Sequence, residues 1–433
     1  MDSYFLDWYS DGWGARLGLI LIGLCLLLVV LRGARNCVPV VRLLPTALFW
    51  RSVVFLYYIF WALPYYGTGG DVWNYHNDGI EIARLITQGD WSGIKLGIST
   101  QAMNILTGLF YAPFGADVYG FAFFSAVLGL AGSVYLCRTF ALWASPEQTR
   151  RYAWILLFLP SYAFWAGIIG KDSWIAFGLG LSAYGYGMMQ KSTSSRGFWH
   201  FMAGFSILTL IRPHVALIIA GAMAAAYIWA LTQTTRGSLP MKFLRIAVLT
   251  TLVGLLYPFT LNFLGLSENA SSENVEEFMR TNGEANARAG GSVVTVQTAP
   301  GITGMIEGIP EGVVRVLLEP FPWQVKNVNA ALAAAENLLI AGLLLRYGRR
   351  IWALFRGIVR VPYFMFSSFV TVGLLLLFSF LPNLGLISRQ RVQLLPFFFS
   401  VLVAATPTGR RKAGEKQLAA VPPVRTAIAG APR

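Results

Sequence analysis

Four basic side chains, Lys171, Arg212, Arg389 and Arg391, stand at the edges of long apolar stretches, where a charge is costly and needs a reason. Their settings are Gly170-Lys171-Asp172-Ser173, Arg212-Pro213-His214 and Ser388-Arg389-Gln390-Arg391. Guanidinium forks and an ammonium suit the oxygens of a phosphate or pyrophosphate. The same side chains could equally reach outward to phospholipid headgroups, as basic residues at helix ends do. Asp172 could pair with Lys171 or cap the next helix. A second group, Asp71-Val72-Trp73-Asn74-Tyr75-His76-Asn77-Asp78, comes directly after Gly69-Gly70. Asp71 and Asp78 are seven residues apart and share a face if the helix is unbroken. A carboxylate in this place could take a proton from a hydroxyl while the cations stabilise a departing phosphate. Asp71 also fits a plain helix N-cap, and Asp78-Gly79 fits a turn. Tyr75 and His76 would line an acceptor site or anchor the segment at an interface.

The elements that must position these groups are set by composition. Of 433 residues, 56% are hydrophobic and 12% charged, against about a quarter charged in soluble domains. Lipid must therefore solvate much of the chain. Apolar runs near the length needed to cross a hydrocarbon core recur throughout. They predict an all-α polytopic membrane protein of about eleven spans. These lie near 14–31, 46–65, 118–137, 152–169, 173–190, 197–211, 214–232, 246–265, 329–345, 361–381 and 392–406. Asp2, Asp7 and Asp11 stand where a secretory signal would be basic, so the first span is expected to be retained. The chain divides into a membrane domain, 1–407, and a tail, 408–433. Gly, Pro, Ala and the Arg410-Arg411-Lys412 cluster mark the tail as a disordered cytoplasmic extension near anionic lipid.

The net charge of +14 does not imply nucleic acid, because the basic residues alternate along the chain and do not form one soluble face. Arg32, Arg35, Arg42 and Arg51 follow the first span. Arg138, Arg150 and Arg151 follow the third, Lys191 and Arg196 the fifth, and Arg236, Lys242 and Arg245 the seventh. Arg346, Arg349, Arg350, Arg356 and Arg360 follow the ninth. Of the acidic residues, only Glu147 and Glu415 fall on that side. This asymmetry puts the N-terminus outside and the C-terminus in the cytoplasm. It requires residues 99–115 not to cross.

Two outer loops, 66–117 and 266–328, are long enough to hold structure. The first contains a short amphipathic helix, Ile80-Glu81-Ile82-Ala83-Arg84-Leu85-Ile86. The second ends in an interfacial helix and an aromatic anchor, Pro320-Phe321-Pro322-Trp323, with Glu307, Glu311, Arg315 and Glu319 as a solvated face. Its length suits a lid. Glu336 is a lone carboxylate in an apolar stretch and needs a partner or a proton. The three cysteines, Cys25, Cys37 and Cys137, suit free thiols, since their spacing fits neither zinc nor a disulfide framework. No metal or other cofactor is expected; a divalent ion is left open.

A first outer loop that begins with Asp shortly after a span and continues as IEIARLITQGDW resembles the GT-C superfamily of polyprenyl-phosphate-dependent glycosyltransferases. The superfamily includes the protein mannosyltransferases and the lipid A aminoarabinose transferases. The likeness is closest over residues 45–215, where PSYAFWAGIIGKDSW and LIRPH resemble bacterial members. It implies a GT-C-like fold in a bacterial inner membrane, with a polyprenyl-(pyro)phosphate sugar donor, membrane lipids around it and a glycan, lipid or protein acceptor. It further implies Asp71 as the catalytic base and Lys171, Arg212, Arg389 and Arg391 as headgroup ligands. The usual adjacent acidic pair is missing, since Val72 follows Asp71, and Asp71 lies further upstream of the helix than in the aminoarabinose transferases. That spacing keeps Asp78 as a rival base. NLGLISRQRVQLLPFFF also resembles outer Arg motifs of O-antigen and exopolysaccharide polymerases. A transporter or flippase of lipid-linked saccharide is the alternative from another class. Its marks would be internal repeats and polar groups along a path.

Overall fold

The computed structural model describes residues 13–66, 71–191, 195–233, 301–325, 328–358, 361–381 and 383–404, with isolated positions 251 and 254. The expected span at 246–265 apart from positions 251 and 254, residues 266–300 of the second loop and the 408–433 tail fall outside the described residues. What is described is helical, with no strands. Among the described residues, five helices are long and apolar enough to cross a membrane: Gly14–Ala34, Leu44–Ala62, Val118–Ala141, Ala330–Gly348 and Pro362–Ser379. Among the same residues, Pro213–Trp229 and Leu395–Ala404 are shorter apolar helices. The chain is thus a helical membrane protein by composition and by fold.

The main helices are α1 (Trp13–Ala34), α2 (Leu44–Tyr57), α3 (Asp71–Gln88), α4 (Thr100–Tyr111), α5 (Val118–Ala141), α6 (Pro146–Phe158) and α7 (Pro160–Trp165). They continue as α8 (Lys171–Lys191), α9 (Ser195–Ile211), α10 (Pro213–Gln233), α11 (Gly301–Leu318), α12 (Val328–Ile358), α13 (Pro362–Ser379), α14 (Leu384–Gln390) and α15 (Leu395–Ala404). Proline opens α6, α7, α10 and α13 at their first turns, where a missing N–H leaves nothing unpaired. Ser145 and Gln148 close a capping box at the start of α6.

Side-chain contacts fix the helix directions. Arg16 and Leu19 of α1 face Gly120 of α5, Gly23 faces Phe123, and Gly33 faces Arg138, so α1 and α5 run parallel. Arg51 of α2 reaches Ser133, while Phe55 meets Phe123, so α2 runs back against α5. The end of α2 and the start of α5 therefore share one end of the bundle, and the chain between them returns to the end it left. Within that excursion α3 and α4 pack on each other, with Gly79 against Thr107 and Gly108 against Ile82. The 12 residues of α4 span about 18 Å, well short of a hydrocarbon core of about 30 Å.

Helices α5, α8 and α9 form the tightest layer. A Cβ at Gly132 would run into the Ala176 carbonyl, one at Gly180 into Gly132, and one at Gly204 into Gly178 and Ser182. Small residues let these backbones approach, which is how helices associate when lipid removes the hydrophobic drive. The register makes α5 and α8 parallel and α9 antiparallel to α8. As a result Lys171, Ile211 and the start of α10 meet near the start of α5. Helix α13 runs toward the same end, with Phe366 beside Tyr186 and Gly373 beside Ile218, and delivers α14 there.

Two charges differ from the sequence reading. Arg51, assigned to the cytoplasmic rim, is buried inside the bundle, donating to Ala163 O and Ser133 Oγ at 3.0 Å each. Arg315, assigned to a solvated face, is buried and pairs with Glu311 and Glu319. In both, one apolar helix face leaves room for a guanidinium to find partners on neighbouring turns or helices. The aromatic pair Phe321 and Trp323 does stack in the open, with Trp323 largely exposed.

Gly132→Val should cost at least about 3 kcal/mol, since backbone, not a movable side chain, fills the space. Gly221→Ala, with open space around it, should cost little. Thermal unfolding of the detergent-solubilised protein checks both.

Candidate active site

Asp172 lies in the first turn of α8, where the helix dipole favours a carboxylate. It is fully buried, and an isolated carboxylate cannot stay charged without partners in such a place. Its Oδ1 lies 2.9 Å from Arg212 Nη2, and its Oδ2 accepts from Arg389 Nε at 2.5 Å. Burial pushes this carboxyl upward, but Arg389, Arg212 and Lys171 outweigh that and hold it below its ordinary value. Three chain segments far apart in sequence meet on one acid: the start of α8, the α9–α10 junction and α14.

Arg389 extends the cluster outward. Its Nη1 donates to Asp71 Oδ2 at 2.9 Å, and its guanidinium sits 5.9 Å from the Trp165 ring centre. Asp172 first, with help from Asp71, keeps Arg389 above its ordinary value. Arg212 Nη1 donates to Gln390 Oε1, which also accepts from Gln393 Nε2 at 2.7 Å. Lys171, the first residue of α8, donates to Ser99 Oγ and Thr100 Oγ1 at 2.8 Å each. Ser99 itself is tied to the α9 end through its N–H and Leu210 O. Burial, then the nearby Arg212, lowers Lys171 to about 8. Asp71 begins α3 and is the outermost member, with half its side chain in solvent.

The structure therefore brings Asp71, Lys171, Asp172, Arg212 and Arg389 together. Tyr75, one turn into α3, is buried beneath Asp71, and burial raises its hydroxyl. His214 follows Pro213, half-buried in the first turn of α10. The remaining expected residues lie elsewhere. Asp78 accepts from Asn104 Nδ2 at 2.6 Å, two turns along α3. His76 lies 3.0 Å from Tyr111 Oη with its ring edge-on to Trp73, facing α4, and burial lowers its basicity. Arg391 is fully buried and turned the other way, donating to Asn337 Oδ1 at 2.5 Å and Glu336 Oε1 at 3.2 Å. Glu336 also accepts from the Ser161 backbone and hydroxyl, so it has the partners its burial requires.

Sequence reasoning missed Ser99, Thr100, Gln390, Gln393 and Trp165. Gln390 had a usable signal, because it sits between two arginines already singled out. Ser99-Thr100 opens the polar end of an otherwise apolar segment, which is a weaker one. Among the described residues, no group of three or more His, Cys, Asp and Glu side chains is placed to hold a metal ion. Comparison with protein-family models, curated proteins and solved structures returns no match. The cluster itself consists of three cations, Lys171, Arg212 and Arg389, gathered around buried Asp172, with the half-exposed Asp71 outermost.

Asp172→Asn should destabilise the protein by about 3–5 kcal/mol, since it leaves the buried Arg212 guanidinium without its counter-charge and Arg389 with Asp71 alone. Because the Asp172 pKa is depressed on folding, its contribution is complete at neutral pH. It is lost only as pH falls below about 3.9 and through the depressed value. Thermal unfolding of wild type and variant at pH 7 measures the difference.

Proposed function

We propose that the protein is an integral membrane glycosyltransferase that takes a sugar from a polyprenyl-(pyro)phosphate donor at the outer face of the membrane. The observation that carries this reading is the convergence of Lys171, Arg212 and Arg389 beside the half-exposed Asp71. The cluster sits at the end of the bundle opposite the loops that hold Arg138, Arg150, Arg151, Lys191 and Arg196. Those loops would face the cytoplasm by the positive-inside rule; the cluster and the N-terminus would then lie outside and the C-terminus inside. A bacterial inner membrane fits this arrangement.

In the proposed reaction an acceptor hydroxyl attacks the anomeric carbon of the donor sugar and the bond from that carbon to the phosphate oxygen breaks. Asp71 takes the hydroxyl proton. The electron pair leaves with the phosphate, whose growing charge the three cations stabilise. Asp172 touches neither substrate; it aims Arg212 and Arg389. Asp78, bonded to Asn104, is the secondary candidate for the base. The acceptor is a glycan, a lipid or a protein, and repeated transfer to a growing glycan would make the enzyme a polymerase by the same chemistry. Flipping of a lipid-linked saccharide is the competing reading, and an assay in liposomes separates the two.

Purified protein in liposomes should move sugar from a polyprenyl-phosphate donor to an acceptor. Asp71→Asn should slow turnover by about 100-fold or more while the protein stays folded. Retained transfer in Asp71→Asn and Asp78→Asn alike would sink the base assignment, and donor translocation without sugar transfer would favour the flippase.

The Lys171 value of about 8 gives a second test. Phosphate binds the protonated ammonium, so donor affinity should fall as pH rises from 7 through 9, and Lys171→Arg, charged throughout, should flatten that limb. Donor binding measured across this range decides it.

A further inference from the structure

Arg389 is asked to do two things that exclude each other. Its Nε is committed to Asp172, and its Nη1 donates to Asp71 at 2.9 Å. Exposure grades across the three: the Asp71 side chain is 54% exposed, Arg389 21% and Asp172 0%. An anion arriving from solvent meets Asp71 first, and to use Arg389 Nη1 it must displace Asp71. Asp172 cannot yield instead, because it is buried and holds Arg212 as well. Two anions cannot share that outer N–H without strong repulsion. While this pair is closed, Asp71 Oδ2 is already engaged by Arg389.

We propose, resting on the transferase reading, that the Asp71–Arg389 pair is a latch opened by the donor: its (pyro)phosphate takes over Arg389 and thereby releases Asp71 as the base. Arg389 is the shared residue, a headgroup ligand when the donor is bound and a clamp on the base when it is not. Donor then binds before acceptor activation, and an acceptor hydroxyl meets a competent base only when there is a sugar to receive. No bond is made or broken in this step; one ion pair replaces another.

The test is a double-mutant cycle on the full-length protein in detergent at pH 7. Geranyl diphosphate serves as the probe, and inorganic pyrophosphate represents the headgroup alone. Asp71→Asn should bind both probes about ten-fold more tightly than wild type, with an unchanged unfolding midpoint. Glu81→Gln removes the same charge from the same helix, further than a Debye length away, and should shift affinity by less than about two-fold. Arg389→Gln should weaken binding, and adding Asp71→Asn in that background should give no further gain, since the competition acts through Arg389.

A gain that survives in the Arg389→Gln background would show simple repulsion by Asp71 and overturn the latch, as would a gain confined to geranyl diphosphate. Wild-type binding with no gain in Asp71→Asn overturns the latch and leaves the transferase reading standing. Absence of binding to either probe in both wild type and Asp71→Asn overturns both.

Discussion

A carboxylate with no access to water, held between two guanidinium groups, governs how this end of the bundle is built. Charged and alone, Asp172 would be intolerable at its depth; ion-paired to Arg212 and Arg389, it becomes the point that three distant segments must reach together. Neither arginine could be left behind, since each would then be a buried or half-buried cation without its counter-charge. The start of α8 also presents unpaired backbone N–H groups, which favour a negative charge there. Hydrogen bonds from Arg212 to Gln390, and from Gln393 to Gln390, use up donors that the acid does not satisfy.

Around this centre the bundle supplies rigidity by two different means. Where α5, α8 and α9 cross, glycines bring backbones into contact, so the positions of Lys171 and Ile211 follow from the register of small residues. Elsewhere polar side chains act as ties. Arg51 links α2 to α5 and α7 through a hydroxyl and a carbonyl, with the Tyr162 ring 5.8 Å from its guanidinium. Glu336, Asn337 and Arg391 join α12 to the turn after α14, and Asn337 adds the carbonyl of Pro320. Arg16 and Asp117 fasten α1 to the start of α5.

Much of this was legible in the residue order, for physical reasons. Burying a charge is so costly that Lys171, Arg212 and Arg389 stood out against apolar surroundings. The amphipathic run after Asp71 announced the surface helix α3. Glu336 was recognisable as needing a partner, but the identity of that partner was not readable, because Arg391 lies 55 residues away and Ser161 175. Arg391 shows the limit most clearly. Adjacent to Gln390 and close to Arg389, it shares their composition and their helix end, yet the turn at Arg391–Gln393 sends it to the opposite side. Charge type is local information; direction depends on packing between segments that sequence does not align. Arg51 was misplaced for the same reason: counting basic residues by loop takes no account of a helix that hides one inside.

The divergence of Arg389 and Arg391 carries a constraint on length. A single intervening residue, Gln390, separates a side chain that reaches the half-exposed Asp71 from one that locks the scaffold. Each residue added to a helical turn rotates the next side chain by about 100°. One insertion or deletion between the two arginines would swing one of them off its acid and strand a charge inside the bundle. Polar exchanges at Gln390 leave both arms in phase; a change of count cannot. The spacing Arg-x-Arg therefore works as a gauge, setting the angular offset between the reactive mouth and its foundation.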